Sequence, residues 1–301
     1  MKCLVTGGTG FIGSNLALEL ENQGHEVIVV NNSSSGNKDN LKDFKGKVIE
    51  ADVAENFNID ESFDVIFHEA AITDPRHDND EETYNKNING FKNMIKLAEK
   101  NNAKLIYAST AGLYGNGPTP MKENQKKEIL SVYGKSKLEM DEMAEKLFNK
   151  MHIVGLRYFN VFGPREKHKG RPASMIYHLA KQIKSGKNPR IFKHGEQKRD
   201  HIYVKDAVDA TIKAVNAKQS CIVNVGTGIA TTFNELIKTL NEVLKTNLEP
   251  EYFDMPYDPK TYQANTQAAT QKAENLIEFK ARWPLKEGIK DYIKWLDNNG
   301  W

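Results

Sequence analysis

The chain has 301 residues, a length that fits two domains or one large α/β unit. Its 39% hydrophobic and 27% charged residues are those of a globular protein, which sets aside disordered, collagen-like and membrane classes. With 42 Lys plus Arg against 40 Asp plus Glu, the net charge of +2 is too balanced to call for nucleic acid or an anionic lipid surface as a partner.

From the N-terminus, CLVTG reads as a strand, FIGSNLALELENQG as a helix and EVIVVNN as a second strand. The strand-like VIEADV and FDVIFHEAA follow, then a helix over 81–99 and the strand KLIYAST. This alternation predicts βαβ units, hence an α/β fold with a doubly wound parallel sheet, its strands apolar throughout because both faces are buried. A helix over 132–149, with Leu138, Met143, Ala144 and Leu147 apolar, and a strand IVGLRYFNVFG complete this half.

Beyond Gly163 the pattern loosens, with seven of the ten prolines. A helix over 175–185, an IYV strand starting at Ile202, a VNVG strand near Val223 and helices near Phe233 and Lys286 are expected there. These elements predict a smaller, interleaved α/β domain of about 161–199 plus 228–301. Residues 1–160 with about 200–227 then form the larger one. Cys3 and Cys221 lie in apolar runs without CxxC spacing, so both read as reduced packing residues, with no disulfide and no metal site. No apolar run approaches the ~18 residues of a spanning helix and no apolar h-region opens the chain, so a cytoplasmic protein without a membrane partner is expected.

TGGTGFIG sets Gly7, Gly10 and Gly13 between a strand and a helix, the context of a dinucleotide fingerprint. One glycine permits the sharp turn, one the approach of a pyrophosphate, one the packing of helix on strand, while helix amides face the anion. Phe11 and Ile12 at the helix start belong to the same cradle. Where an acidic residue would usually bind the adenosine ribose, the chain has Asn31 and Asn32, then a serine-rich loop reaching Lys38. A neutral amide, hydroxyls and a lysine tolerate a 2′-phosphate, which leans the reading to NADP; Asn31 bonding the ribose hydroxyls of NAD is the alternative. Asp52 is a candidate adenine contact or a cap for the next element.

Tyr133 and Lys137 stand four apart in VYGKSK, so a helix places phenol and ammonium on one face. A lysine cation there is expected to lower the phenol pKa and fit it for acid/base work on an alcohol. The upstream YASTAGLYG brings Ser109 and Thr110 to the carboxyl edge of the sheet, where open α/β sheets bind ligands.

Together, TGGTGFIGSN, HEAA, YNKNING, YASTAGLYG, YGKSK, RYFNVFGPRE and RDHIYVKDA resemble the extended short-chain dehydrogenase/reductase family of sugar-nucleotide enzymes over almost the whole chain. The resemblance implies a Rossmann domain, a tightly bound, recycled NAD(P), a nucleotide-sugar substrate and a homo-oligomer, by default a dimer. It implies Thr110, Tyr133 and Lys137 as catalytic residues and Asn87, Ala70 and Ala71 at the cofactor. Ser109, Asn160, His178, Arg199 and Tyr262 fall to the substrate. Ala111 and Gly112 stand where dehydratases of the family carry an Asp-Glu pair, which argues against elimination of water.

REKHKGRPASMIYHL and TYQANTQA resemble the branch that inverts C6 of an ADP-heptose. That likeness implies Lys169 as a second acid/base group and substrate contact; a diphosphate contact is its other reading. Asn31, Thr110, Pro172 and AITDP depart from the heptose pattern. The alternatives are UDP-hexose or UDP-N-acetylhexosamine inversion at C4, for which Tyr133 alone suffices, and a net NAD(P)-dependent reductase or dehydrogenase.

Overall fold

The structure, a computed structural model, describes residues 1–301 apart from Ser33, Asn56, 75–77, Tyr257 and 259–261. Ser33 of the serine-rich loop, Pro75 of AITDP and Thr261 of TYQANTQA therefore lie outside the described residues.

Seven parallel strands form the main sheet: β1 (Lys2–Thr6), β2 (Glu26–Asn31), β3 (Lys47–Glu50), β4 (Val65–His68), β5 (Lys104–Thr110), β6 (Ile153–Tyr158) and β10 (Cys221–Val225), in the order β10-β6-β5-β4-β1-β2-β3. Helices α1 (Phe11–Asn22), α2 (Asp80–Asn101), α3 (Val132–Glu145) and α5 (Val204–Lys213) belong to this half, with α2 beside α3 and α1 beside α5. Burial explains the apolar strands: β4, β6 and β10 are buried at every position. At the sheet edge, however, β3 is mostly exposed, with Val48 at 50%. Both cysteines are free and buried.

The strand order reverses between β1 and β4, which opens a crevice at their carboxyl ends. A Cβ on Gly7, just past β1, would lie 2.8 Å from the Ala70 backbone just past β4. One on Gly13 would meet the Gly7 carbonyl at 2.4 Å, so the turn closes only around glycine.

The expected strand IVGLRYFNVFG divides at Phe159. β6 stays in the main sheet, and β7 (Asn160–Phe162) joins β9 (Lys198–Tyr203) and β11 (Ala230–Thr232) in a three-stranded sheet. A two-stranded sheet pairs β8 (Arg190–Phe192) with β12 (Glu251–Phe253). Around these pack α4 (Met175–Lys184), α6 (Phe233–Leu244), α7 (Gln271–Ile277) and α8 (Leu285–Asn299). IYV closes β9 rather than opening a strand, because the chain turns into α5 at Val204. The helix expected over 132–149 stops at Glu145, where the chain leaves α-geometry in turns. Three-residue strands such as β8, β11 and β12 carry too little alternation to be read in sequence. Among the described residues no helix is long and apolar enough to cross a membrane, and no group of His, Cys, Asp and Glu could hold a metal ion.

Candidate active site

A cleft of about 1100 Å³ opens at the carboxyl ends of β1, β2, β4, β5 and β6 and runs under the two smaller sheets. Gly7, Gly10, Phe11, Ile12 and Gly13 form part of its floor. Side-chain caps close α2, α3, α4 and α6, from Asn79, Ser131, Ser174 and Thr232, whereas α1, like α5, α7 and α8, has none, and it is α1, at Gly10, that starts in the cleft. Its first amides are thus left for a ligand anion, as a pyrophosphate requires. The glycine contacts and this uncapped helix fit a dinucleotide.

Beside the floor, Asn32 donates to Asp52 at 3.1 Å and accepts from the Ser34 amide and hydroxyl, and Lys86 reaches the same Asp52 oxygen at 3.0 Å. Partial burial opposes ionisation of Asp52, but the bonds from the Ala54 amide, Lys86 and Asn32 outweigh it and hold the carboxyl below its ordinary value. Asn31, Asn32 and Asp52 all line the cleft. Lys38 does not: it is paired with Glu50 at 3.1 Å on the exposed side, because the turn Lys38–Leu41 carries it toward the outer end of β3. The lysine of this corner is Lys86, one residue before Asn87 in YNKNING.

Ala70 and Ala71 line the cleft next to Asn87. Asn87 is buried, with its amide donating to the Ile72 carbonyl and Ser136 hydroxyl, both at 3.1 Å, and its carbonyl accepting from the Ile72 amide. It ties α2, the segment after β4 and α3 together. Thr110 closes β5, accepting from the Gly112 amide and bonding the Tyr133 hydroxyl. Ser109 Oγ is buried, with no partner among the described residues, and lines the cleft.

Lys137 is 1% exposed and donates to the Ala108 carbonyl at 2.7 Å, its Nζ 5.9 Å from the Tyr133 ring centre. Burial brings its pKa down to about 8 against the pull of Glu69 and Asp141. The expected lowering of Tyr133 is absent: desolvation pushes the phenol up to about 12, and only the Thr110 bond works the other way. The protein alone buries this hydroxyl more than it charges it.

Lys169 reaches the cleft from the turn Lys167–Lys169, its ammonium over the Phe11 ring at 5.5 Å. Burial lowers its pKa, opposed by Glu166 and Asp74. Glu166 is buried and fixes this segment by accepting from the Gly163 amide and from the amide and hydroxyl of Ser174.

The far wall is built from side chains. Arg199 donates to the Ala264 carbonyl at 2.6 Å and lies over Tyr262 at 5.1 Å, while Asn160 accepts from Thr266. Phe192 packs edge-on against Phe253 and Tyr262. Gln197 Oε1 and His201 Nδ1 are buried without partners among the described residues. His178 does not reach the cleft. It sits on α4 with Nε2 at 3.3 Å from the Arg171 carbonyl, turned to the outer side of the loop that carries Lys169. Sequence reading missed Lys86, Gln197, Phe192, Phe253 and Glu69. Only Lys86 and Glu69 carried a signal, each lying inside a motif already singled out.

A glycine-cradled cleft at a topological switch point, with a tyrosine and a lysine one helical turn apart over it, defines a Rossmann-type dinucleotide enzyme. The profile of the NAD dependent epimerase/dehydratase family matches residues 3–226, and the chain belongs to that family. It is similar to an ADP-L-glycero-D-manno-heptose-6-epimerase of Brachyspira hyodysenteriae, 37% identical over 99% of this chain and 98% of that one. Its fold matches the Helicobacter pylori enzyme of the same name, with a TM-score of 0.92 and 36% identity over 98% and 96% of the two chains. A UDP-glucose 4-epimerase of Thermotoga maritima, solved with UDP-glucose, follows at 0.90 and 28% over 99% of both.

Proposed function

We propose that this protein is an NAD(P)-dependent sugar-nucleotide epimerase, an isomerase that oxidises one carbinol of its substrate and reduces it again from the opposite face. The favoured substrate is an ADP-glycero-manno-heptose inverted at C6. Convergence of Tyr133 and Lys169 on one cleft from separate segments carries this reading. Inversion at an exocyclic carbon asks for a proton acceptor in each of two orientations.

In this reading the main sheet with α1, α2, α3 and α5 is the dinucleotide half. The segments 161–199 and 228–301 make the sugar half, and cytoplasm is its place of action. The bound dinucleotide supplies a hydride acceptor that gives the hydride back within the same turnover. Tyr133 Oη takes the proton of the hydroxyl being oxidised and returns it on reduction, with Thr110 holding the phenol. Lys137 anchors α3 to the end of β5 and places a positive charge beside the phenol. Lys169, its pKa lowered by burial, serves the second orientation. Ser109, Asn160, Arg199 and Tyr262 hold the nucleotide sugar, Arg199 being suited to a diphosphate. NADP is the favoured form, since no carboxylate stands at Asn31 and Ser34 and Lys86 are at hand, with Asp52 as the acceptor that joins Asn32 and Lys86 in this corner. A homodimer through α2 and α3 completes the proposal, checked by light scattering of the eluting protein.

The second reading is inversion of a UDP-hexose at C4, favoured by the likeness to the Thermotoga maritima enzyme. One NMR time course, with ADP-D-glycero-D-manno-heptose and UDP-glucose in one tube and no added cofactor, decides between them. C6 inversion of the heptose supports Lys169 as second base. Conversion of the glucose compound alone makes the protein a 4-epimerase and Lys169 a diphosphate contact.

A further inference from the structure

The segment that carries Lys169 belongs to the sugar half by its place in the sequence, yet two asparagines bond it to the dinucleotide half. Asn15 stands on α1, one turn in from its start. Its Nδ2 donates to the Phe11 carbonyl at 2.8 Å and to the Pro164 carbonyl at 3.0 Å, and its Oδ1 accepts from Arg165 Nη1 at 3.0 Å. Both amide protons and the carbonyl of that side chain are thereby used. Asn40, in the turn Lys38–Leu41, is 9% exposed. Its Nδ2 donates to the Thr9 carbonyl at 3.0 Å and to the Arg165 carbonyl at 3.3 Å, and lies 3.1 Å from His168 Nδ1. In return, Arg165 Nε donates to the Asn40 main-chain carbonyl at 3.1 Å.

Arg165 holds φ at +72°, a left-handed conformation that a side chain resists, and the bonds to Asn15 and Asn40 grip it from two sides. His168 and Lys169, three and four residues on, both line the cleft, with the Lys169 ammonium over Phe11. Toward the sugar half the segment is held by Glu166, whose partners Gly163 and Ser174 are near neighbours in sequence, and by Arg165 lying over Trp295 of α8 at 5.9 Å. Thr9 and Phe11, in contrast, flank Gly10, where the uncapped amides of α1 begin. A pyrophosphate bound to those amides would load the same stretch of backbone that the two asparagines grip.

We infer that Asn15 and Asn40 are positioning residues that register Lys169 on the cradle, so that a bound dinucleotide steadies the 164–170 segment before any sugar arrives. The catalytic sense of this rests on Lys169 being the second acid/base group. A base aligned in this way keeps its place relative to the dinucleotide while the sugar half adjusts to its substrate. The link is reciprocal, since a segment steadied by dinucleotide must favour dinucleotide binding by the same factor.

Amide hydrogen exchange read by mass spectrometry tests this on charcoal-treated protein without any sugar. The reporters are the Lys169 and Gly170 amides, which donate to the Glu166 and Lys167 carbonyls at 3.0 and 3.2 Å. In the wild type, saturating NADP, or NAD in a parallel sample, is expected to slow exchange over 164–170 as well as over the cradle at 7–15. The slowing of the segment should be about 5-fold or more, the low end of ordinary coupling between sites. In Asn40→Leu, which keeps the bulk of the buried side chain and removes its bonds, the cradle should still slow and the segment should not. Asn15→Ala, which puts a good helix former on α1, should behave alike and carries the test should Asn40→Leu not fold. A purely structural role would quicken exchange of the segment with and without dinucleotide alike and preserve the slowing, and that result overturns the inference. A wild-type segment that dinucleotide leaves unchanged overturns it too. Heptose turnover by Lys169→Gln is a separate matter: full activity there removes the second base, while the tie to the cradle stands or falls on exchange.

Discussion

In the proposed function the floor of the cleft and its far wall solve the same problem, holding a charged nucleotide, with different materials. The floor is main chain: six consecutive residues from Thr6 to Phe11 offer backbone amides, and glycine at 7 and 13 keeps them within reach. The wall is side chain: Arg199, Tyr262, Phe192 and Phe253 come from separate segments, and Arg199 is anchored to a carbonyl 65 residues away. A floor of backbone is intolerant of an added Cβ but indifferent to what lies elsewhere in the chain. A wall of side chains can exchange its chemistry one residue at a time, which suits a family whose members share a dinucleotide and differ in sugar.

The sharpest break falls where the two regions meet. Tyr133→Phe is expected to lower kcat by roughly 10²- to 10⁴-fold, the worth of one acid/base group, while dinucleotide affinity measured by calorimetry stays put. On the floor, Gly13→Ala sets a methyl 2.4 Å from the Gly7 carbonyl. At ~1–3 kcal/mol for overpacking, dinucleotide affinity should drop about 5- to 150-fold, and an unchanged Kd would show that the cradle yields. On the wall, Arg199→Ala should weaken nucleotide-sugar binding by about 10- to 100-fold, as loss of a hydrogen bond to a charged group does, and leave the dinucleotide alone.

Between floor and wall, Glu69 gives a pH signature. Its folded pKa of about 7 lies above the ordinary 4.5, so its contribution to stability is fully present below 4.5 and is lost as pH rises through 7. Thermal melts of Glu69→Gln should therefore gain on the wild type as pH climbs across that window, and parallel curves would place the carboxyl outside it. The smallest effect is expected for Lys38→Ala. An exposed pair with Glu50 is worth about 0–1 kcal/mol to the fold, and Lys38 lies off the cleft, so neither stability nor dinucleotide affinity should change much.

The same contrast governs what could be read in the sequence. The floor is local, and TGGTGFIG, the strand before it and the helix after it suffice to place every residue. The helical spacing of Tyr133 and Lys137 likewise set them on one face. Lys38 and His178 were misplaced because their neighbours are decided by a turn and by a distant loop, not by spacing. The phenol was expected to be acidified because a nearby cation was legible, whereas burial, a property of the assembled cleft, was not. Asn160 and Arg199 were found through motif likeness, while Phe192, Phe253 and Gln197, standing in no motif, became visible only when β8, β9 and β12 came together.

Phe159 is the sole residue between β6 and β7, so the chain crosses from one sheet to the other over one residue. That join works as a fixed hub. An insertion of even one residue there would rotate Asn160 away from Thr266 and misalign sugar and dinucleotide at once. An engineer altering the sugar-binding half of this scaffold should leave the hub untouched.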